Sequence, residues 1–548
     1  MTHYKYFYIL FLSVATCFVS CNTLDPIPTD RFTDETFWQS VENSELMVNM
    51  AYNQMYSADK MWNDEALSDN LFEGRTNTNP RSIRNGIADP TLPIFADEWK
   101  QAYEGLKTCH VYMANVDRVP DMTEALKTRR LAEIRFIRAY IYFRLVNFYG
   151  DVPFFTTDIP LDESYTIGRT PKADIMNFIH KELDELSTIL PSRNGAAAAD
   201  NGRITKGAVE AFQARAYLYE SNWNKVVEHT ENLINEQGTY GTYALFQKPN
   251  DVDKTSYRDL FAANNEYNQE VILDYAYIPS IKMWSKLYDA APLSVGARLN
   301  AIAPLQSLVD NYITLNGLPI DEDATYNDNN PYVNRDPRMS STIVFHGGQW
   351  ENQQGEISTI YIKPGGVVTP DLYIGPSANS TPTGYYIKKY FDITSQREFQ
   401  SGLNIIMFRY ADVLLMYAEA KNELGKLSNE DWDLTIKAIR ARAGFENANA
   451  LDYPATLSQG ELRTLIRNER RSELALEGLR YYDIIRWKAG KTYLDGEVNG
   501  AKFENNNSAY IRLDTRKFDE NRDYLWSVPR NQMDLNKNLL PNNPGYAN

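Results

Sequence analysis

Carboxylates at helical spacing are the first feature of the sequence that could do chemistry. Glu469, Glu473 and Glu477 lie at i, i+4 and i+8, so a helix would carry them on one face. Two carboxylates about 5 to 10 Å apart are enough to hydrolyse a glycosidic bond. Arginines such as Arg470 and Arg471 are interleaved with these glutamates. We therefore predict a structural ion-pair network here, and a glycoside hydrolase stays the weaker alternative.

The other residue types of enzyme sites are scattered along the chain. Its five histidines are isolated from one another, and it has three cysteines. No HExxH, CxxC, GxxxxGK[ST], GxGxxG or GxSxG motif occurs, so zinc, nucleotide, dinucleotide and serine-hydrolase sites have no local support. A catalytic triad assembled from distant residues stays open at this stage. We predict a protein that is not an enzyme and that needs no cofactor or metal.

Aromatic side chains give the positive signal. The 37 Tyr, 23 Phe and 9 Trp make up 13% of the chain. An aromatic face can stack on the apolar face of a sugar ring, while amides, carboxylates and guanidinium groups bind its hydroxyls. Two segments, 62–81 and 275–288, combine these residue types and are predicted to be loops. The candidate ligand platform comprises Trp62, Asp69, Asn70, Arg75, Arg81, Tyr277, Trp284 and Tyr288.

Charge and hydropathy exclude two classes of protein. The 56 Lys and Arg against 72 Asp and Glu give a formal charge of −16, whereas nucleic-acid binding needs clustered cations. The mean hydropathy of −0.48 excludes a polytopic membrane protein. The acidity also suits a neutral glycan better than an anionic one, unless a local basic patch overrides it.

The N-terminal residues predict export and anchoring. Lys5 precedes an apolar stretch, residues 6–19, that is too short to span a bilayer and is typical of a signal peptide. Cys21 follows small or apolar residues, as in the bacterial lipobox, so we predict that residues 1–20 are removed and that Cys21 is acylated. An ordinary signal peptide that is cut elsewhere is the alternative. Residues 21–32, which contain two prolines, would form the linker to the membrane.

The remaining chain, residues 33–548, is predicted to be one mainly α-helical domain. Apolar residues recur at helical spacing in five stretches: 34–56, 99–116, 123–149, 203–236 and 408–443. The last two have the small residues and central turn of tetratricopeptide-like helix pairs, which are about 34 residues long. Loop-rich insertions with a few short strands are expected at about 60–97 and 240–400, because these segments contain many prolines and have no helical period.

The stretch 132–150, AEIRFIRAYIYFRLVNFYG, is apolar nearly all the way round, which is typical of a helix buried among other helices. Its arginines, Arg135, Arg138 and Arg144, must then find carboxylate or carbonyl partners, because an unpaired buried charge is costly. Gly150 is the expected end of this helix.

Several blocks, in this order along the chain, resemble the SusD/RagB family of nutrient-binding outer-membrane lipoproteins. They are LDPIPTDRFTDETFW after the lipobox, AEIRFIRAYIYFRLVNFYGDVPFF, GRITKGAVEAFQARAYLYESNW, LVDNYITLNGLPI, NRDPRM, FRYADVLLMYAEAKNELG, IKAIRARAGF, IRNERRSELALEGLRYYDIIRWK and LWSVPRNQMDLNKNLLPNNPGY. Together they span nearly the whole chain after Cys21.

The resemblance implies a helical fold with four tetratricopeptide-like helix pairs and a ligand site in the insertions. It implies a non-enzymatic, surface-exposed lipoprotein of the outer membrane that captures oligosaccharide and delivers it to a SusC-type TonB-dependent transporter. In RagB-like branches the ligand is a peptide. Ligand residues vary within the family, so none is transferred to this chain.

Overall fold

The computed structural model describes residues 34–74, 78–195, 200–503 and 509–548. The predicted signal peptide, Cys21, the linker and Arg75 lie outside the described residues. The start of the domain at residue 33 therefore stays a prediction.

Long helices form the scaffold, as the spacing of apolar residues predicts. Those of nine residues or more are α1 (Val41–Met55), α2 (Ala58–Ala66), α3 (Pro93–Asn115), α4 (Glu124–Tyr149), α5 (Lys172–Ile189), α6 (Lys206–Tyr219), α7 (Trp223–Asn235), α8 (Tyr410–Glu423) and α9 (Gln459–Glu473). Short α-helices are Asp34–Phe37, Asn79–Arg84, Leu161–Ser164, Gln237–Tyr240, Ser256–Asp259, Gln306–Asn311, Pro337–Thr342, Asn429–Trp432, Ala438–Ala443, Ala448–Leu451, Arg480–Arg486, Gly490–Tyr493 and Arg530–Leu535, and a π-helical turn covers Asp433–Lys437.

The long helices pack on their neighbours in order along the scaffold. α1 packs on α3, α3 on α4, α4 on α5, α5 on α6, α6 on α7, α7 on α8 and α8 on α9. Small buried residues on α6, among them Ala208, Ala211 and Ala214, let its neighbours approach closely. The mainly α-helical class with tetratricopeptide-like pairs is confirmed.

Strands are short and occur only in antiparallel pairs within the described residues. They are β1 (Leu71–Glu73), β2 (Val271–Tyr275), β3 (Ile302–Pro304), β4 (Ile343–Val344), β5 (Gln349–Glu351), β6 (Ile357–Thr359), β7 (Tyr386–Ile387), β8 (Ile405–Arg409), β9 (Gly496–Asn499) and β10 (Arg512–Arg516). The pairs are β1–β3, β2–β8, β4–β7, β5–β6 and β9–β10.

The two segments that are predicted to be loop-rich insertions differ in their helix content. Residues 240–400 are indeed mostly loops, with short helices at Ser256–Asp259, Gln306–Asn311 and Pro337–Thr342. The loop prediction for residues 60–97 is wrong, because α2, a short helix and the start of α3 lie within them. Ser57 caps α2 by accepting a hydrogen bond from the backbone of Lys60, and Pro93 opens α3, where proline is tolerated.

Helix α4 lies at the centre of the core, and its arginines have the partners that burial requires. Arg144 forms ion pairs with Asp64 at 2.6 Å and with Glu98, and Arg135 and Arg138 both bind Glu182. The helix ends at Gly150, whose φ of +70° favours glycine. No helix in the described ranges is sufficiently long and apolar to cross a membrane.

The glutamates of the 469–477 segment form the predicted ion-pair network, deep inside the protein. Glu473 is fully buried and binds Arg338 at 2.9 Å, Arg409 at 2.7 Å and Arg442. Burial alone would raise the pKa of Glu473, but Arg442, Arg409 and Arg338 more than offset this effect, so its pKa is lowered. Its charge is therefore retained inside the core.

The flanking carboxylates extend the network. Glu469 binds Arg338 at 2.7 Å and Arg440 at 2.8 Å. Glu477 binds Lys389 and Arg409, both at 2.7 Å. Glu270, which lies next to β2, neutralises Arg409 at 2.7 Å and Arg442 at 2.6 Å. The network thus joins α9 to β8, to Pro337–Thr342 and to Ala438–Ala443.

We expect Glu473→Gln to lower the free energy of unfolding by about 3 to 5 kcal/mol, because it leaves buried guanidinium groups uncompensated. Chemical denaturation near pH 7 measures this change. Glu322→Gln, at an exposed loop position, is the matched control and should change it by less than about 0.5 kcal/mol.

Acid should reduce the difference in the free energy of unfolding between Glu473→Gln and the wild type. A carboxylate with a lowered folded-state pKa contributes stability above its ordinary pKa of 4.5, and this contribution is lost as the pH falls through its folded-state pKa. A constant difference from pH 7 down to about pH 3 would contradict this assignment.

Candidate functional site

The β1–β3 pair joins the first predicted platform segment, residues 62–81, to residues 302–304, which lie beyond the second segment. Phe72 lies opposite Ala303, and the backbone N–H of Gly74 donates to the carbonyl of Ala301 at 2.9 Å. A side chain at Gly74 would come within 3.2 Å of Pro382. This ladder fixes the loop that follows β1 beside the loop that precedes β3.

Three predicted residues near β1 are buried in structural roles. Trp62 is 0% exposed and lies in α2, so its prediction as a loop residue is wrong. Asp69 binds Arg480 at 2.8 Å and Arg471 at 3.0 Å, and Asn70 accepts a hydrogen bond from Arg471 at 2.8 Å. Burial would raise the pKa of Asp69, but the arginines lower it to about 2. These side chains fix the base of β1 and present no stacking face.

Two predicted aromatics in the second segment are held by the scaffold. Trp284 is 8% exposed and donates its indole N–H to the carbonyl of Leu403 at 2.7 Å. The half-buried Tyr277 accepts a hydrogen bond on its hydroxyl from the backbone of Ala58 at 2.9 Å. Both bonds tie the segment to other parts of the chain and leave little aromatic face for a ligand.

Arg81 is partly accessible but already has partners. It forms an ion pair with Asp514 at 2.9 Å and lies over the ring of Phe72 at 5.3 Å. Arg75, predicted beside it, lies outside the described residues.

Tyr288 is the predicted aromatic that the structure leaves on the surface with polar groups beside it. It lies in a 3₁₀ turn, Lys286–Asp289, and its carbonyl accepts a hydrogen bond from the backbone of Arg298 at 3.1 Å. The guanidinium of Arg298 is 5.3 Å from the Tyr288 ring and forms an ion pair with Asp289. The ring of Phe399 lies 6.5 Å away, tilted by 34°. We call Tyr288, Asp289, Arg298 and Phe399 the Tyr288 surface.

Sequence reasoning missed three members of this surface. Asp289 directly follows Tyr288, so its place beside that ring is predictable from the sequence. Arg298 approaches because the chain turns back after Pro292, and Phe399 is far away in sequence. No local pattern predicts the approach of Phe399.

A polar cleft of about 280 Å³ lies next to the buried Asp69. Its lining includes Gln306, Asp310, Tyr493 and Tyr510. Gln306 donates to Asp310 at 2.7 Å, and burial raises the pKa of Asp310. The cleft therefore offers hydrogen-bonding groups that are already partly paired within the protein.

The described residues hold no group of three or more His, Cys, Asp and Glu side chains that could bind a metal. Cys109 is buried in α3, and burial raises the pKa of its thiol to about 12, so it is a poor nucleophile. The carboxylates Glu469, Glu473 and Glu477 are occupied by cations and are buried in the core. The Tyr288 surface has an aromatic ring beside a guanidinium and a carboxylate, so it is suited to stacking and hydrogen bonding.

Comparison with protein families assigns nearly the whole chain. Residues 269–546 match the model described as the SusD family, and residues 29–218 match a model described as "Starch-binding associating with outer membrane".

Individual proteins agree with this assignment. SusD-like protein P2 of Formosa agariphila is 25% identical over 99% of this chain and 100% of its own length. The starch-binding protein SusD of Bacteroides thetaiotaomicron is 29% identical over 171 residues, which are 29% of this chain and 27% of that protein.

A crystal structure of a SusD-like carbohydrate-binding protein from Bacteroides fragilis superimposes with a TM-score of 0.82 at 25% identity. The match covers 92% of this chain and 100% of that one. Since the family model covers more than half of the chain and the fold agrees along its length, the protein belongs to the SusD family.

Proposed function

We propose that this protein is a glycan-binding protein that captures oligosaccharide on the Tyr288 surface. The observation that carries the proposal is the half-buried Tyr288 ring beside the exposed Arg298 and the half-buried Asp289. A sugar ring can stack on such a ring while the adjacent ionic groups bind its hydroxyls.

The relatives support this class of ligand. The protein from Bacteroides fragilis is described as carbohydrate-binding, and the shorter match is to a starch-binding protein. We propose that this chain also binds carbohydrate. Neither relative's name specifies the glycan that this chain binds.

We further propose that the protein is a lipoprotein of the outer membrane, acylated at Cys21 and exposed at the cell surface. The family description of outer-membrane association and the lipobox-like residues before Cys21 support this location. The captured glycan is passed to a SusC-type TonB-dependent transporter, a step suggested by the family resemblance. Delivery requires release, so moderate affinity serves the function better than tight binding.

The bound glycan leaves the surface unchanged, without catalysis. The burial and ion pairing of the 469–477 carboxylates support this part of the proposal. Peptide capture, as in RagB-like proteins, is the outcome that would replace glycan capture if peptides bind and glycans do not.

We expect Tyr288→Ala to weaken oligosaccharide binding by about tenfold, because it removes the stacking face. A glycan and peptide array on residues 22–548 first identifies the ligand, and calorimetry then compares the variants. Tyr165→Ala, at a tyrosine that is 42% exposed elsewhere, is the matched control and should bind normally. Equal affinity of both variants and the wild type would remove Tyr288 from the site, and sugar products in the assay would refute a purely binding function.

We expect Cys21→Ala in the full-length protein to move it from the membrane fraction to the soluble fraction, because each acyl CH₂ buried in lipid contributes about 0.8 kcal/mol. Cell fractionation and metabolic labelling with palmitate measure this change. Cys17→Ala is the matched control and should remain labelled. Labelling that follows Cys17 instead would place the anchor at that residue.

A further inference from the structure

A cleft of about 360 Å³ lies beside the Tyr288 surface. The ring of Phe399 is 6.0 Å from that of Phe391, which lines the cleft. Phe261 and Ile393 add further apolar wall, and Asn264 and Thr394 place an amide and a hydroxyl at its lining. We call it the Lys388 cleft, after the amine in its wall.

Lys388 forms no ion pair with any of the described residues. Its amine donates to the carbonyl of Gln349 at 2.9 Å, and the described residues provide no ion pair for it. The next residue, Lys389, is different, since it binds Glu477 at 2.7 Å and donates to the carbonyl of Ala475 at 2.8 Å. A half-buried amine in a cleft wall that lacks an ion-pair partner favours an anion from outside.

The other charges of the cleft are accounted for. Asp259 is shared by Arg258 at 2.8 Å and Lys248 at 3.2 Å, so each of these cations has a carboxylate partner within the protein. Glu351 faces the cleft and favours the charged form of Lys388. Burial and Arg258 act in the opposite direction, and the pKa of Lys388 is lowered to about 8. The amine is therefore mostly protonated at pH 7 and loses its proton as the pH rises through about 8.

The backbone at this cleft is strained. Tyr390 has a φ of +64°, which is unusual for a bulky residue, and Glu398 and Phe399 also have positive φ values of 62° and 55°. Such conformations persist where the surrounding packing enforces them, and they cluster at ligand sites. Of these residues, Tyr390 lines the cleft, two positions after Lys388.

We propose that the Lys388 cleft binds the carboxylate of an acidic sugar within a glycan, with the Lys388 amine as its counter-ion and the apolar sugar face against Phe391. This inference rests on the proposed glycan-binding function and narrows its ligand class. The net charge of the chain favours neutral glycans only at long range, and an unpaired amine in a cleft acts at contact distance.

The test compares uronic-acid tetrasaccharides, built from galacturonate, glucuronate or mannuronate, with their carboxyl-reduced neutral forms. We expect one acidic oligosaccharide to bind at least about tenfold more tightly than its reduced form in 150 mM salt, since a charge-assisted hydrogen bond is lost on reduction. Calorimetry on residues 22–548 measures both affinities.

Two substitutions should act in opposite directions. Lys388→Met should abolish the preference for the acidic form, while Glu351→Gln should increase it by removing a competing anion. Lys181→Met, at an exposed lysine on α5, is the matched control and should leave the preference unchanged. Thermal unfolding of each variant tests whether the fold is retained.

The preference for the acidic oligosaccharide over its reduced form should also depend on pH. The protonated amine binds the anion, so the preference should be intact at pH 7 and decline as the pH rises through the pKa of about 8. Lys388→Met should remove this dependence. Burial also lowers the pKa of Lys389 to about 8, so a dependence that survives in Lys388→Met would belong to Lys389 and would contradict the assignment to Lys388.

The outcomes separate this inference from the proposed function. If acidic and reduced forms bind equally, or Lys388→Met has no effect while Tyr288→Ala still weakens binding, the Lys388 inference fails and glycan capture stands. If no acidic oligosaccharide binds but a neutral one does, the inference also fails alone. If no glycan binds, both fail.

Discussion

The buried charge of Glu473 is the constraint on which the rest of the structure depends. A carboxylate in this position is tolerated only because Arg338, Arg409 and Arg442 surround it. Each arginine comes from a different element, so those elements have little freedom to shift relative to α9. Apolar packing alone would allow more than one arrangement of helices with similar surfaces. The paired charges make one register of these elements far more favourable than the others.

Helices and their partners could be predicted from sequence where local spacing determines them. Helix α4, its end at Gly150 and the paired arginines follow from apolar periodicity and from the cost of a lone buried charge. An ion-pair role for Glu473 is predictable from the arginines beside it in sequence, but its partners, Arg338, Arg409 and Arg442, come from distant elements. By contrast, Trp62 looked like a loop residue, because the polar residues around it obscured a helix that the Ser57 cap and tertiary packing stabilise.

The candidate site was less predictable, because long-range contacts create it. Tyr288 was identified by residue type, but the approach of Phe399 and the position of Lys388 in a cleft wall exist only in the folded chain. Most of the abundant aromatic side chains, such as Tyr142 and Phe212, are core residues. Composition shows that aromatic residues are abundant. Which rings a ligand can reach depends on how distant segments meet in the folded chain.

The ion pair between Asp69 and Arg480 joins residues that are 411 positions apart. The carboxylate of Glu65 similarly accepts a hydrogen bond from the backbone of Gly478, 413 positions away. Asp69 and Glu65 thus lack these partners until the C-terminal part of the chain has been synthesised. Contacts of such high sequence separation slow folding. This part of the fold can therefore form only when the chain is nearly complete.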